Sequence, residues 1–278
     1  MFIKKSSLIS FFSSGFSSHV RVKAIDLSSP DMKTFYSPFE GKIVKVEKFV
    51  VGRPNKYATE PYDYLILLES NGKLIKILHV EPIKGEGERV CKGETLGYFV
   101  NSPYTGGDFL HAHIEGISIR FPRIKDYRES KVGRVVKIAE NYFDVEVVDY
   151  ATAGGFNGVG CCGGLLNTSY PYACYGGIIG GWDGKLEFMG IKLGVPYKVR
   201  RKNLVMFEGK KGLIRGWETN SSFKVLENKP VCGSKPFFES VLSYKGYPRI
   251  RFFRKYNGKV GDIVELGRII RDYLGREV

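Results

Sequence analysis

No stretch of the chain holds about 18 consecutive apolar residues, the length a membrane-crossing helix needs. A membrane span is therefore not expected, and the composition points to a soluble protein. Cysteine is sparse and odd in number, five in 278 residues, so it offers no complete disulfide framework. Cys161, Cys162 and Cys174 share one glycine-rich stretch but lack the paired C-x2-C of a zinc ribbon. Reduced, buried cysteines are the expectation for most of them, with a loop disulfide left open. Histidine is scarcer: His19, His79, His111 and His113 are the full set, and none follows residue 113. Any histidine chemistry is confined to the first half of the chain.

Apolar residues make up 43% and aromatics 14%, a globular composition, so the chain is expected to fold throughout. The net charge of +14 attracts polyanions, whether nucleic acid, anionic lipid or an acidic cell-wall polymer. Apart from "KVRRK" (Lys198 to Lys202) and "RIRFFRK" (Arg249 to Lys255), the basic residues are spread along the chain. That spread reads as a solvated face and argues against a nucleic-acid function. The start, "MFIKKSSLISFFSSGFSS", has the outline of a secretory signal, but serines break its apolar run and no small-x-small cleavage site follows. A cytoplasmic location is favoured over a secreted one.

Short β-branched runs dominate the N-terminal part: "GKIVKVEKFVV", "DYLILLESNGKLIKILHV" and "ERVCKGETLGYFV". Asn71-Gly72 between two such runs predicts a type I′ hairpin, whose two central residues need positive φ. The charged segment around Pro122 places a boundary near residue 125, giving domains 1–125 and 126–278. Beyond it, "KVGRVVKIAENYFDVEVVDY" alternates like another hairpin and suggests a second small barrel. Ala151 to Gly190 carries 12 glycines in 40 residues, a density that argues against regular structure and for a long, compact insertion or a β-rich excursion. Its glycines do not form G-x4-G-K-[ST], so a phosphate loop is disfavoured. Near the C-terminus, Asp262 and Glu265 have capping-box spacing, and Ile263, Leu266, Ile269, Ile270 and Tyr273 recur at helical spacing. One C-terminal helix with a core-facing stripe is predicted.

The stretch "FLHAHIEG" (Phe109 to Gly116) carries two histidines one residue apart. On a strand, His111, His113 and Glu115 share one face at intervals of about 6.5–7 Å. His79 ends "KLIKILH" and Asp26 ends "VKAID", so both stand at element edges where side chains can converge. A hydrolytic zinc site takes about three protein ligands and leaves a position for water.

Residues 19–116 resemble the lysostaphin-type (LytM-like) zinc endopeptidases. The resemblance rests on "FYSPFEGKIVKVE", "LLESNGKLIKILHVEPI", "GERVCKGETLGYF" and "GGDFLHAHIEG", in that order and at similar intervals. It implies a mainly β fold, with a duplicated-hybrid-motif (barrel-sandwich) peptidase-like domain before a second β-rich domain that carries the glycine-rich insertion and the C-terminal helix. It implies one zinc ion held by Asp26 and His113, His111 as a base acting on the zinc-activated water, and His79 as a stabiliser of the tetrahedral oxyanion. The implied function is cleavage of peptide bonds, with a peptide or cell-wall polymer as substrate. Glu115 is placed to orient a neighbouring ligand.

The departure from the family pattern is at the first ligand. The family's histidine lies four residues before its aspartate, where this chain has Val22, and Ala24 stands where glycine is expected. His19, seven residues before Asp26, is the remaining histidine, and on a regular strand it would face away from Asp26 unless a bulge or turn intervened. Val22 thus favours an alternative: a catalytically degenerate barrel that acts as a binding or regulatory module. The chain also resembles sugar-phosphotransferase phosphocarrier domains, which do not explain Asp26 or the His-Ala-His-x-Glu pattern. Lys92 lacks the flanking pattern of a biotin- or lipoyl-carrier turn.

Overall fold

The computed structural model describes residues 1–13, 17–51, 58–105, 107–170, 175–200, 203–209, 211–212 and 237–275. The chain is mainly β, 48% strand and 6% helix, with a helix near its C-terminus. Among the described residues, no helix is long and apolar enough to cross a membrane. The contacts divide the chain into two units. One comprises Met1–Phe11 and the described residues from 17 to Ile119; the other comprises Phe12, Ser13 and the described residues from Arg120 onward. The division at 119/120 lies slightly before the boundary expected near 125.

In the N-terminal unit, β1 (Leu8–Ser10), α1 (Ser17–Val20), β2 (Ala24–Leu27), β3 (Thr34–Tyr36), β4 (Gly41–Val50) and β5 (Tyr62–Ser70) come first. They are followed by β6 (Lys73–Leu78), β7 (Val80–Pro82), β8 (Arg89–Val90), β9 (Thr95–Phe99) and β10 (Ala112–Glu115). One antiparallel ladder runs β8-β4-β5-β6-β10-β2-β1 without closing into a barrel. A second, three-stranded sheet runs β3-β9-β7. Alternation gives the ladder its inner face: Ile43, Ile66, Leu68, Ile77 and Ile114 are fully buried. The turn between β5 and β6 is Asn71-Gly72, with φ of 50° and 70°, as the hairpin signal predicts. His79 alone separates β6 from β7, so the chain changes sheets at that residue, and its φ of 65° makes the change.

The second unit contains β11 (Ile124–Asp126), β12 (Val132–Ile138), β13 (Phe143–Val147), β14 (Ala151–Ala153), β15 (Phe156–Cys161), β16 (Gly164–Tyr170) and β17 (Tyr175–Ile179). It continues through β18 (Glu187–Phe188), β19 (Ile191–Lys192), β20 (Val195–Arg200), β21 (Leu204–Glu208), β22 (Phe238–Tyr244), β23 (Arg249–Phe252), β24 (Ile263–Glu265) and α2 (Leu266–Leu274). Its main ladder runs β24-β12-β13-β23-β22-β16-β17-β21-β20.

Three expectations change here. Of the two readings of the glycine-rich stretch the β-rich excursion holds, and it is regular: it supplies β14 to β17. Glycine there permits close packing, since a Cβ at Gly160 would lie 1.8 Å from the Arg128 carbonyl oxygen and one at Gly177 would lie 2.4 Å from the Phe12 ring. The capping box does not form either. Ile263 and Glu265 are in β24, paired with β12, and Asp262 instead accepts from Lys259 N–H and the Tyr256 hydroxyl. The helix therefore starts at Leu266, although Leu266, Ile269 and Ile270 do form its buried stripe. Lastly, "RIRFFRK" is not a wholly solvated cluster. Arg251 is buried and meets Asp144 with Nε 2.7 Å from Oδ1 and Nη2 3.0 Å from Oδ2, under the Tyr142 ring.

Candidate metal centre

Register builds the site. β10 lies between β2 and β6, with His113 directly opposite Asp26 on one side and Leu78 on the other. Opposed residues of an antiparallel pair have Cβ atoms about 4.5–5.5 Å apart, so the His113 ring and the Asp26 carboxylate meet without further adjustment. Leu78 is followed by His79, which the same register brings to this end of the sheet.

His19 arrives differently. It sits on α1, a single helical turn, and not on a strand. Val22 N–H donates to the His19 carbonyl and Lys23 N–H to that of Ser18, after which Val22, at φ 61°, sends the chain into β2. A β-branched residue in the left-handed region is strained by about 1–3 kcal/mol. Here that conformation turns His19 towards Asp26, so the strand argument that faced them apart does not apply.

His19 Nε2, His113 Nδ1 and Asp26 Oδ1 form a nearly equilateral triangle: 3.0 Å from His19 to Asp26, 3.0 Å from His19 to His113, and 2.9 Å from His113 to Asp26. All three side chains are buried. Their outer hydrogen bonds set the protons. His19 Nδ1 donates to the Phe11 carbonyl at 2.9 Å, and His113 Nε2 donates to Glu115 Oε1 at 2.9 Å. In the neutral rings, the inward nitrogens then carry lone pairs.

Two imidazole lone pairs and a carboxylate oxygen, mutually within hydrogen-bond distance, repel one another unless a cation joins them. Asp26 Oδ2, also buried, has no hydrogen-bond partner within the protein. Four-coordinate zinc with bonds near 2.0–2.1 Å keeps its ligand atoms about 3.3 Å apart, so this triangle fits one slightly compressed face of such a tetrahedron. The residues present fit a zinc ion.

Burial raises the Asp26 carboxyl, but His19, His111 and His113 outweigh it and hold the group well below the usual range. Burial likewise raises Glu115, and the hydrogen bond and charge of His113, with Lys76, bring it down to about 2. Both carboxylates are ionised at neutral pH.

His111 stands at the edge of the triangle. Its Nδ1 donates to the Phe109 carbonyl at 2.6 Å, which turns Nε2 inward, 3.7 Å from Asp26 Oδ1. Burial, opposed by Asp26, lowers its pKa to about 4, so the ring is neutral and Nε2 can accept a proton. Its side chain is 8% exposed, against 0% for His19 and His113 and 4% for Asp26. Among these four residues the site reaches solvent mainly through His111.

His79 packs edge-on to His111 at a ring separation of 5.4 Å. Behind it lies a residue that the sequence reading missed. Asp63 Oδ2 accepts from His79 Nδ1 at 2.6 Å and from the Ser102 hydroxyl at 2.8 Å, and Oδ1 accepts from the backbone N–H groups of Tyr64 and His79. An acidic residue near the start of the largely apolar strand "YDYLILLES" was the available signal. The five expected residues are thus brought to one end of the N-terminal unit: three as a potential ligand set, His111 beside it and His79 next to His111.

No curated protein and no solved structure matches the chain. Residues 1–135 match a protein family described as "Domain of unknown function (DUF8155) N-terminal domain", and the likeness spans the whole of this candidate centre.

Proposed function

We propose that the N-terminal unit is a zinc-dependent endopeptidase of the lysostaphin type, with the duplicated-hybrid-motif architecture that its sequence resembles. The observation that carries the reading is the triangle of His19 Nε2, His113 Nδ1 and Asp26 Oδ1, whose outer hydrogen bonds turn lone pairs inward in the neutral rings. These three residues would hold one zinc ion, which supplies Lewis acidity and lowers the pKa of water.

The protein's own groups support the rest of the hydrolysis. His111 Nε2, neutral and turned inward, takes the proton from the attacking water and returns it to the leaving amine. As an imidazolium, with Nδ1 donating to ionised Asp63 behind it, His79 would present Nε2–H to the carbonyl oxygen as negative charge develops there. The substrate class, a peptide of the cell-wall kind, rests on the family resemblance, and the basic surface suits an anionic polymer. Val22, which favoured a degenerate barrel, weighs less now that α1 supplies His19 in place of the missing ligand.

The test is metal content and hydrolysis measured together on the full chain. One zinc per chain is expected after purification at neutral pH, with cleavage of a glycine-rich cell-wall peptide. His113→Ala should lose both zinc and cleavage, and His111→Ala should keep zinc and lose cleavage. Substoichiometric zinc unaffected by His113→Ala would overturn the proposal.

A further inference from the structure

The turn joining β15 to β16 places a cysteine side chain in the left-handed region, as the β18–β19 turn does with Met189. Cys161 pairs with Gly164, leaving Cys162 and Gly163 as a two-residue loop with φ of 57° and 81°. This is a type I′ turn, whose first central position normally takes Asn, Asp or Gly because a side chain strains positive φ. Asn71-Gly72 shows the usual pair.

The left-handed conformation at Cys162 brings its Sγ to 2.7 Å from Cys161 Sγ, well inside the separation of about 3.5–4.0 Å ordinary for non-bonded heavy atoms. Both sulfurs are also within reach of the Glu187 carbonyl on β18, at 3.3 and 3.4 Å. They lie in the apolar core of the second unit, 2% and 6% exposed.

We propose that Cys161 and Cys162 form a two-electron oxidation site whose product is a disulfide between adjacent residues, with a small hydroperoxide as oxidant. Within the pair, the Cys161 S–H donates to Cys162 Sγ, which lowers the Cys162 thiol and pushes Cys161 up. Cys162 is also the more exposed of the two, so it reacts first.

The Cys162 thiolate attacks one oxygen of hydrogen peroxide. The O–O bond breaks, and hydroxide leaves and takes a proton to become water. The resulting Cys162 sulfenic acid is then attacked by Cys161 Sγ. The S–S bond forms, the S–O bond breaks, and the Cys161 proton leaves with the oxygen as a second water. Two thiols and one peroxide give one disulfide and two waters; the sulfurs are oxidised and the peroxide reduced.

The disulfide has no S–H, so the Glu187 carbonyl loses the Cys162 S–H as a donor. The β18–β19 hairpin then holds less firmly to the β15–β16 turn. Oxidation thereby becomes a change in local protection around residues 187–192.

The reduced full chain, treated with equimolar hydrogen peroxide and digested, gives the test. The peptide holding Cys161 and Cys162 is expected to lose two hydrogen masses, about 2 Da, without keeping oxygen, and dithiothreitol should reverse the loss. Faster amide exchange at residues 187–192 should accompany it. Cys162→Asn, which suits the turn, should fold and show neither change. An unchanged mass, a retained oxygen adduct or pairing of either cysteine with Cys91, Cys174 or Cys232 would overturn the proposal.

Discussion

Replacement of Asp63 tests the architecture behind His79 independently of any substrate. The carboxylate is fully buried and accepts from four donors: His79 Nδ1, His79 N–H, Tyr64 N–H and the Ser102 hydroxyl. Asp63→Ala leaves all four buried. At about 1–3 kcal/mol for each unsatisfied donor, a simple sum gives roughly 4–12 kcal/mol. Water entering the vacated space and rotation of the Ser102 hydroxyl reduce that sum. Deleting one partner of a buried ion pair costs about 3–5 kcal/mol, and a loss of about 4 kcal/mol is expected. Asp63→Asn keeps an oxygen for the two backbone N–H groups, and both His79 and Ser102 can turn to accept from its amide, so about 1–2 kcal/mol is expected.

The pH dependence separates charge from shape. Burial raises the Asp63 carboxyl, but His79, Ser102 and Tyr64 outweigh it and hold the group below its ordinary value. Its contribution is present above the unfolded carboxylate pKa of about 3.9 and is lost as pH falls through the lower folded value. Asp63→Asn should flatten that acid limb. Urea unfolding, with hydrogen exchange of residues 62–82 to report this unit, measures both effects. A loss below about 1 kcal/mol for Asp63→Ala, or equal losses for Ala and Asn, would refute the reasoning.

Glu115→Ala removes the acceptor that fixes the His113 tautomer, and zinc affinity measured by chelator competition should fall by about 10–100-fold; unchanged affinity would contradict that role. Gly116 ends β10 at φ 86°, where a Cβ would lie 2.6 Å from the Leu74 carbonyl oxygen, so Gly116→Ala should destabilise the N-terminal unit by about 1–3 kcal/mol in urea unfolding. In the second unit, Arg251→Ala strands buried Asp144 and should cost about 3–5 kcal/mol, whereas Arg251→Met with Asp144→Leu should recover most of it in a thermal melt.

The strands of the N-terminal unit were legible because a two-residue period and turn chemistry are local. Burial alternates along the continuous apolar run of β5, as the strand period requires, and Asn71-Gly72 makes the turn that its residue types demand. Composition left the glycine-rich stretch open between a compact insertion and a β-rich excursion, because glycine density reports backbone freedom and not how closely strands pack. Gly160 and Gly177 serve that packing, and the reason, a carbonyl at one and a ring at the other, lies far away in sequence. At residues 262–265 a local capping pattern competed with pairing to β12, and the pairing won. Arg251 looked solvated because its partner Asp144 is 107 residues away.

The candidate site divides along the same line. His113 and Asp26 are joined by strand register between segments 87 residues apart, which the family resemblance implied and a strand reading of "HAHIEG" and "VKAID" could not show. His19 could not be placed by any periodic argument. Its position depends on one helical turn and on Val22 adopting a conformation its side chain disfavors. Val22, which stands where the family's ligand is expected, is therefore the residue that steers His19 towards Asp26, and its strain is balanced by burial of the Val22 side chain and by backbone hydrogen bonds on either side. It follows that His-x6-Asp can present the same donors as His-x3-Asp when the intervening residues form a helical turn and a left-handed exit. Spacing along the chain identifies a ligand set only after the backbone between the ligands has been settled.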